Sequence, residues 1–268
     1  GGNAGTALAP LLVIMVVFTK KIVDGQLVEE SHLERLLWFV LFPALAIVIL
    51  LFIGAWRKKL LKQAQTLKKR EIPLPDLTHA QVRNSVIILM FLVFSKNFYT
   101  AGISNYFQFY TIKTFGFTNA EAQLYLFYYL GAAAAGTLIG GFFGDRVGRK
   151  FIIWFSILGA APFALWLPYA DAKTTAVLVV LIGFIISSAF ASILVYAQEL
   201  LPKKIGMISG VFYGFAFGMA GLGSAVLGKL IDMTSITFVY KVCSFLPLMG
   251  LTAYFLPNLR KVKTKLSE

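Results

Sequence analysis

Histidine and cysteine are almost missing from this sequence and acidic residues are scarce: two His, one Cys and twelve Asp plus Glu among 268 residues. The single Cys243 excludes a disulfide or a thiolate metal cluster within one chain. His32 and His79 both fall in expected loops, which leaves no histidine-based catalytic or metal centre in the apolar interior. No metal and no organic cofactor is therefore expected. Alternation of period two, the mark of an outer-membrane barrel, is absent. Acid pairs spaced as Asp-x-x-x-Asp, which a membrane enzyme acting on lipid or isoprenoid would need, do not occur, so no enzyme is expected.

What is present is apolar. Hydrophobic residues make up 58% of the chain, charged residues 14%, and the mean hydropathy is +0.77, too apolar for an ordinary soluble domain of this length. A bilayer-spanning helix needs about 20 largely apolar residues. Eight segments qualify, roughly 1–18, 36–55, 84–106, 121–143, 151–169, 174–197, 207–228 and 237–256. In lipid every backbone polar group must find an internal partner, and helices are the solution that short connections allow. The expected class is an all-α integral membrane protein lying in a lipid bilayer.

Charge sets its orientation. One set of connections holds 17 Lys and Arg: eight in 57–83, three in 146–150, two in 203–204 and four in 260–265. The other set holds six: Lys20, Lys21, Arg35, Lys113, Lys173 and Lys229. The richer set is expected in the cytoplasm, which puts the C-terminus inside. The net charge of +13 belongs to this pattern beside membrane helices, so nucleic acid is not an expected partner.

The longest connection, 56–83, begins with a basic stretch and carries Pro73 and Pro75, which break any continuous helix. It reads as a linker between two bundles, with 1–55 holding two spans before it and 84–268 six after it. Gly1 opens directly into an apolar segment, so earlier helices of the same protein are expected to be missing from this sequence.

Between the fourth and fifth spans lies Gly141-x-x-x-Asp145-Arg146-x-Gly148-Arg149-Lys150. It resembles the signature loop of the major facilitator superfamily of secondary transporters. The resemblance implies the major facilitator fold, with helices five to twelve of a twelve-helix transporter present and each six-helix half built from inverted three-helix units, here 84–169 and 174–256. A carboxylate among guanidinium groups at a helix end can form charge-assisted contacts that hold two helices together and are remade as the bundle rocks. Gly148 permits the tight turn. Glu199 ends an otherwise uncharged span near the same face. In many facilitators a glutamate at the corresponding place pairs with arginines of this loop, so Asp145, Arg146, Gly148, Arg149 and Glu199 are the gating candidates, with Glu199 latching onto Arg146 or Arg149.

Lys96 lies near the middle of the third span. A lysine at the bilayer centre costs roughly 2.5–3.5 kcal/mol on insertion scales, so it should face a cavity or a partner. Lys96, Tyr99, Thr100, Ile103 and Phe107 share one helical face, with Asn97 alongside, a stripe suited to lining a path for an anionic small molecule. The fourth span adds Tyr125, Tyr128 and Tyr129, which could also be interface anchors. The sixth adds Ser188, Ser192 and Tyr196, whose serines serve helix packing equally well. The substrate-binding candidates are Lys96, Asn97, Tyr99, Thr100, Tyr128 and Ser192. Gly136, Gly140 and Gly144, and again Gly210, Gly214 and Gly218, recur every four residues and read as helix-packing faces.

A narrower resemblance covers most of the chain. The opening Gly1-Gly-Asn3-x-Gly5, Tyr196-Ala-Gln-Glu199-Leu-Leu-Pro202, Gly206-Met-Ile-Ser-Gly210 and Phe238-Val-Tyr-Lys241-Val-Cys243 are similar to the fosmidomycin resistance family. That resemblance implies a bacterial inner-membrane exporter that expels an anionic phosphonate drug at the expense of the proton gradient. An uptake symporter of the same fold is the alternative. No acidic residue stands at the centre of any span, so the proton carrier is either in the missing helices or Lys96 itself.

Overall fold

The computed structural model describes residues 2–23, 26–31, 33–64 and 77–258. His32, the middle of the expected linker with Pro73 and Pro75, the basic segment 260–265 and the side chain of Asp145 lie outside the described residues. Two compact units emerge, one from within 1–11 and 74–268, the other from within 12–73.

Helix α1 (Gly2–Val17) is divided between the two units at Leu11, and in the smaller unit it is followed by a hairpin of β1 (Phe18–Val23) and β2 (Gln26–Ser31), paired from Phe18↔Ser31 to Val23↔Gln26. Asp24-Gly25 stands between the strands in the sequence, a strong hairpin signal. A 3-10 stretch (Leu33–Val40) leads into α2 (Leu41–Ala64), so the start of the expected linker is helical. The apolar parts of α1 and α2, Leu8–Val17 and Pro43–Gly54, are shorter than a full crossing.

Of the eight expected spans, six are long and apolar enough to cross a membrane among the described residues: His79–Phe115, Asn119–Gly144, Arg149–Tyr169, Ala172–Leu200, Pro202–Met233 and Ile236–Phe255. The first is α3 (His79–Phe115), opened by a capping box in which Thr78 Oγ accepts from the Gln81 backbone at 3.3 Å while the Gln81 side chain accepts from Thr78 N–H at 3.0 Å. It closes on Gly116, whose φ of 68° is open to glycine at little cost. The second is α4 (Asn119–Val147), opened by the same device from Thr118 and Glu121. Each box contributes about 1 kcal/mol. The other spans are interrupted. Helix α5 (Arg149–Leu158) passes through Gly159 to α6 (Ala161–Trp166), and α7 (Ala172–Ser187) changes to α8 (Ala189–Leu200) at Ser188. Helix α9 (Ile205–Met233) is continuous, and α10 (Ile236–Cys243) gives way to a 3-10 stretch (Leu246–Phe255).

The principal packing partners follow a simple rule. The first span packs on the fifth and sixth, the second on the fourth, and the third on the fourth and sixth. Exchanging the first three spans for the last three, in order, maps this set of pairs onto itself. That is the pattern two inverted three-helix units would produce.

Buried apolar residues form two separate clusters. One takes Tyr99, Ile103 and Phe107 from α3, Tyr129 from α4, Ile182 from α7 and Tyr240 from α10. The other takes Leu89, Leu92 and Val93 from α3, Ile153 and Ile157 from α5, Ile193 and Tyr196 from α8, and Phe212 from α9. Between them runs a polar seam. Ser95 donates to Leu246 O at 2.6 Å, Ser156 and Ser188 share a hydrogen bond, and Ser244 donates to Lys241 O at 2.7 Å. The three helix breaks fall at this level, where backbone groups released from the helix ladder meet hydroxyls rather than hydrocarbon.

Candidate functional site

Lys96 lies on the seam. Its α3 neighbours toward the N-terminus, Leu92 and Val93, belong to one apolar cluster, and Tyr99 and Ile103 beyond it belong to the other. The side chain is only 8% exposed. Its Nζ stands 5.0 Å from the centre of the Phe190 ring, at the start of α8 just past the break. No carboxylate pairs with it among the described residues. Such a cation over a phenyl face gains about 0.5–2 kcal/mol, less than the roughly 2.5–3.5 kcal/mol that a central lysine costs.

One turn further along α3 the polar groups change character. Tyr99 is buried, and neither its hydroxyl nor Thr100 Oγ has a hydrogen-bond partner. Tyr129 of α4 is fully buried, and its hydroxyl, facing Thr100 and Tyr99, is also unpaired. The candidate expected from the sequence on this helix is its neighbour, Tyr128. Tyr128 is 36% exposed and lies tilted at 47° against Tyr125, with ring centres 5.9 Å apart. Asn97 is half-buried and donates to Val93 O at 2.8 Å, a bond within its own helix. Ser192 is buried and unpaired but sits elsewhere, against Gly144, where a Cβ would come within 2.7 Å of Ser192 Oγ. It lies two helical turns, about 10 Å, from Glu199 along α8. The structure thus gathers Tyr99, Thr100 and Tyr129, with Lys96 one turn before them on the same face of α3, and leaves Tyr128 and Ser192 apart from them.

The second site is at the helix ends. Gly148 separates α4 from α5 with a φ of 116°, a conformation that L side chains resist. That sharp turn starts α5 with Arg149, whose guanidinium pairs with the Glu199 carboxylate at the end of α8. The two side chains are 22% and 23% exposed, so water still reaches the pair. Arg146, in the last turn of α4, lies over the Phe142 ring at 4.2 Å. Lys150 donates to Tyr254 O at 2.8 Å, and Tyr196 donates to Pro257 O at 2.6 Å. These bonds tie the ends of the third, fourth and sixth spans into one layer. Asp145 is in the final turn of α4, and its side chain is not described.

Beside Tyr99 a small apolar cavity opens between α3, α9 and α10, lined by Gly102, Tyr106, Leu227, Ile231 and Cys243 among others. Tyr240 crosses above it, donating to Gly102 O at 3.0 Å. Neither Tyr240 nor the cavity was singled out from the sequence, since a lone tyrosine in an apolar span carries no signal of what it will face.

Residues 1–224 match the Major Facilitator Superfamily, a stretch that includes Lys96, the Gly148 turn and Glu199. The chain belongs to this superfamily. Over 97% of its length the facilitator is 52% identical to the Fosmidomycin resistance protein of Escherichia coli (strain K12), and it is 36% identical over 98% of its length to the Uncharacterized MFS-type transporter YfnC of Bacillus subtilis (strain 168). A more distant relative, 26% identical over 83% of the chain, is the Cis,cis-muconate transport protein of Acinetobacter baylyi. The chain spans 61%, 62% and 54% of these three relatives. The facilitator's relatives are transporters and not enzymes, and the six long apolar helices among its described residues make it a multi-pass membrane protein.

Proposed function

We propose that this chain forms helices five to twelve of a twelve-helix, proton-coupled exporter of a small anionic organic compound, working by alternating access. Residues 1–55 would be the last two helices of the N-terminal bundle, 56–83 the cytoplasmic linker and 84–268 the C-terminal bundle. The protein would sit in a bacterial inner membrane with its C-terminus in the cytoplasm. The observation that carries this reading is Lys96: a buried cation at mid-membrane, with an aromatic face beside it and no carboxylate among the described residues. An anionic substrate supplies the charge that the site lacks. The relative that is 52% identical is named for resistance to fosmidomycin, which makes that drug the first substrate to try.

In this scheme the Arg149–Glu199 pair closes the cytoplasmic ends of α5 and α8, and Asp145, Arg146 and Gly148 shape the turn that presents Arg149. The proton gradient is the energy source. Its carrier is either Lys96 or a group in the N-terminal helices.

The test is fosmidomycin resistance in cells expressing the full-length gene. Wild type should raise the tolerated concentration, Lys96→Ala should lose most of the gain and Lys96→Arg should keep part of it. Equal resistance from wild type and Lys96→Ala would sink the assignment. In proteoliposomes with an imposed pH gradient, an exporter and an uptake symporter move substrate in opposite directions relative to the protons.

A further inference from the structure

Burying a hydroxyl without a hydrogen-bond partner is unfavourable, because the water it gave up is not replaced. Natural proteins therefore keep few such groups, and a cluster of them needs an explanation. Here three meet at one place. Tyr99 and Thr100 lie on the Lys96 face of α3, at i+3 and i+4 from the lysine, and Tyr129 reaches them from α4. All three hydroxyl oxygens are buried, and none has a partner of full hydrogen-bond geometry, Tyr129 and Thr100 only facing each other. Their surroundings offer little to satisfy them. The core around Tyr99 and Tyr129 is built of Ile103, Phe107, Ile182 and Ile186. The nearby Tyr240 hydroxyl is already committed to Gly102 O.

Elsewhere the same bundle satisfies its hydroxyls. Ser95, Ser156, Ser188, Ser224, Thr137, Tyr106 and Tyr196 all make hydrogen bonds. The fold can therefore pair a buried hydroxyl where nothing else is needed; among the described residues Tyr110, Thr175 and Ser192 are also unpaired, each away from this group, and only at Tyr99, Thr100 and Tyr129 do three such hydroxyls meet, one turn along α3 from Lys96.

We infer that the Tyr99, Thr100 and Tyr129 hydroxyls are the hydrogen-bonding half of the ligand site, donating to the oxygens of an oxyanion whose charge rests on Lys96. This deepens the reading of Lys96 as an anion site and rests on it. An ammonium alone binds as a point charge and fixes no orientation. An oxyanion group has more lone pairs than one ammonium satisfies, and three O–H donors placed to one side of it set how the group sits. Tyr129, rather than Tyr128, is the contribution of α4. A neutral or cationic ligand would leave Lys96 uncompensated and gain nothing from the arrangement.

Binding of fosmidomycin to the purified full-length transporter, by calorimetry, tests this together with the thermal midpoint of the unliganded protein. Tyr99→Phe, Tyr129→Phe and Thr100→Val each remove one hydroxyl and keep the shape. Each should weaken binding about tenfold, the worth of one hydrogen bond to a charged group. The unliganded midpoint should stay level or rise, because an unpaired group has been taken out of the core. Tyr128→Phe should bind as wild type, and Thr100→Ser should bind closer to wild type than Thr100→Val. A fall in the unliganded midpoint of the Phe variants would show that the hydroxyls already have structural partners, and would overturn the inference. So would wild-type affinity in all three variants; if Lys96→Ala lost binding in that same series, the anion site would survive and only its hydroxyl half would be discarded. Undiminished binding by Lys96→Ala would remove both.

Discussion

Lys96 brings a charge to a level of the bundle where its long neighbours are Leu92, Val93, Tyr99 and Phe190. Replacing it with Met keeps the length and removes the desolvated charge. Lys96→Met should therefore raise the unliganded thermal stability, by about 1–2 kcal/mol from the insertion cost less the aromatic contact, while abolishing binding of the anion. A drop in stability would mean that the lysine is held by a partner. At the helix ends, Glu199→Gln removes the charge opposite Arg149 and keeps the shape. With both side chains about a fifth exposed, the loss should be about 1 kcal/mol, enough to shift a near-balanced gate. Thiol labelling inside the cytoplasmic cavity should speed up several-fold, and unchanged labelling would dismiss the latch. Lys96 was legible as a charge in an apolar run, and Glu199 as an acid at a span end near a basic loop. The choice between Tyr128 and Tyr129 was not. Adjacent helix residues point about 100° apart, and which direction is the interior depends on where α3 packs.

Two glycine series read alike in the sequence and differ in the structure. On α4, a Cβ at Gly136 would collide with the Phe184 backbone and one at Gly140 with Ser188, so this face is where the second and fourth spans cross. On α9, a Cβ at Gly210, Gly214 or Gly218 would meet no described atom. Packing by small residues was expected of both faces, and among the described residues only the α4 face shows it. Gly136→Ala and Gly140→Ala should each cost about 1–3 kcal/mol through overpacking against backbone. Gly131→Ala, on the same helix with open space around it, should be neutral or gain up to about 1 kcal/mol of helix propensity. Thermal unfolding of the three variants in detergent checks this, and equal midpoints would contradict the crossing. Helix starts are legible in the sequence. Thr78-x-x-Gln81 and Thr118-x-x-Glu121 are capping-box signatures; the former moves the start of α3 five residues ahead of its apolar run, because caps and not hydropathy end the hydrogen-bond ladder. The breaks at Gly159, Ser188 and Ser244 carried no comparable mark; at Ser188 the hydroxyl meets Ser156 of another span, a partner that no local pattern announces.

For the molecule as a whole, the ion pair at Arg149 and Glu199 and the Lys150 and Tyr196 hydrogen bonds mark one end of the six-span unit, and Tyr125 donating to Ala172 O at 3.2 Å marks the other. If the basic end is cytoplasmic, then with Cys243 replaced by Ala a cysteine at Lys203 should react with an impermeant thiol reagent only from the cytoplasmic side. One at Lys173 should react only from the outside, and the reverse labelling would invert the topology. The sequence by itself determined the membrane class, the superfamily and the identity of the buried cation. Those properties follow from composition, from spacing along one helix and from local turn chemistry. Only the tertiary structure decided that the core is two clusters with a polar seam between them, that Glu199 meets Arg149, and that Tyr129 joins Tyr99 and Thr100 in a group of unpaired hydroxyls one turn from Lys96. These depend on which faces of distant segments meet, and contact between helices many residues apart is set by packing geometry that no local pattern records.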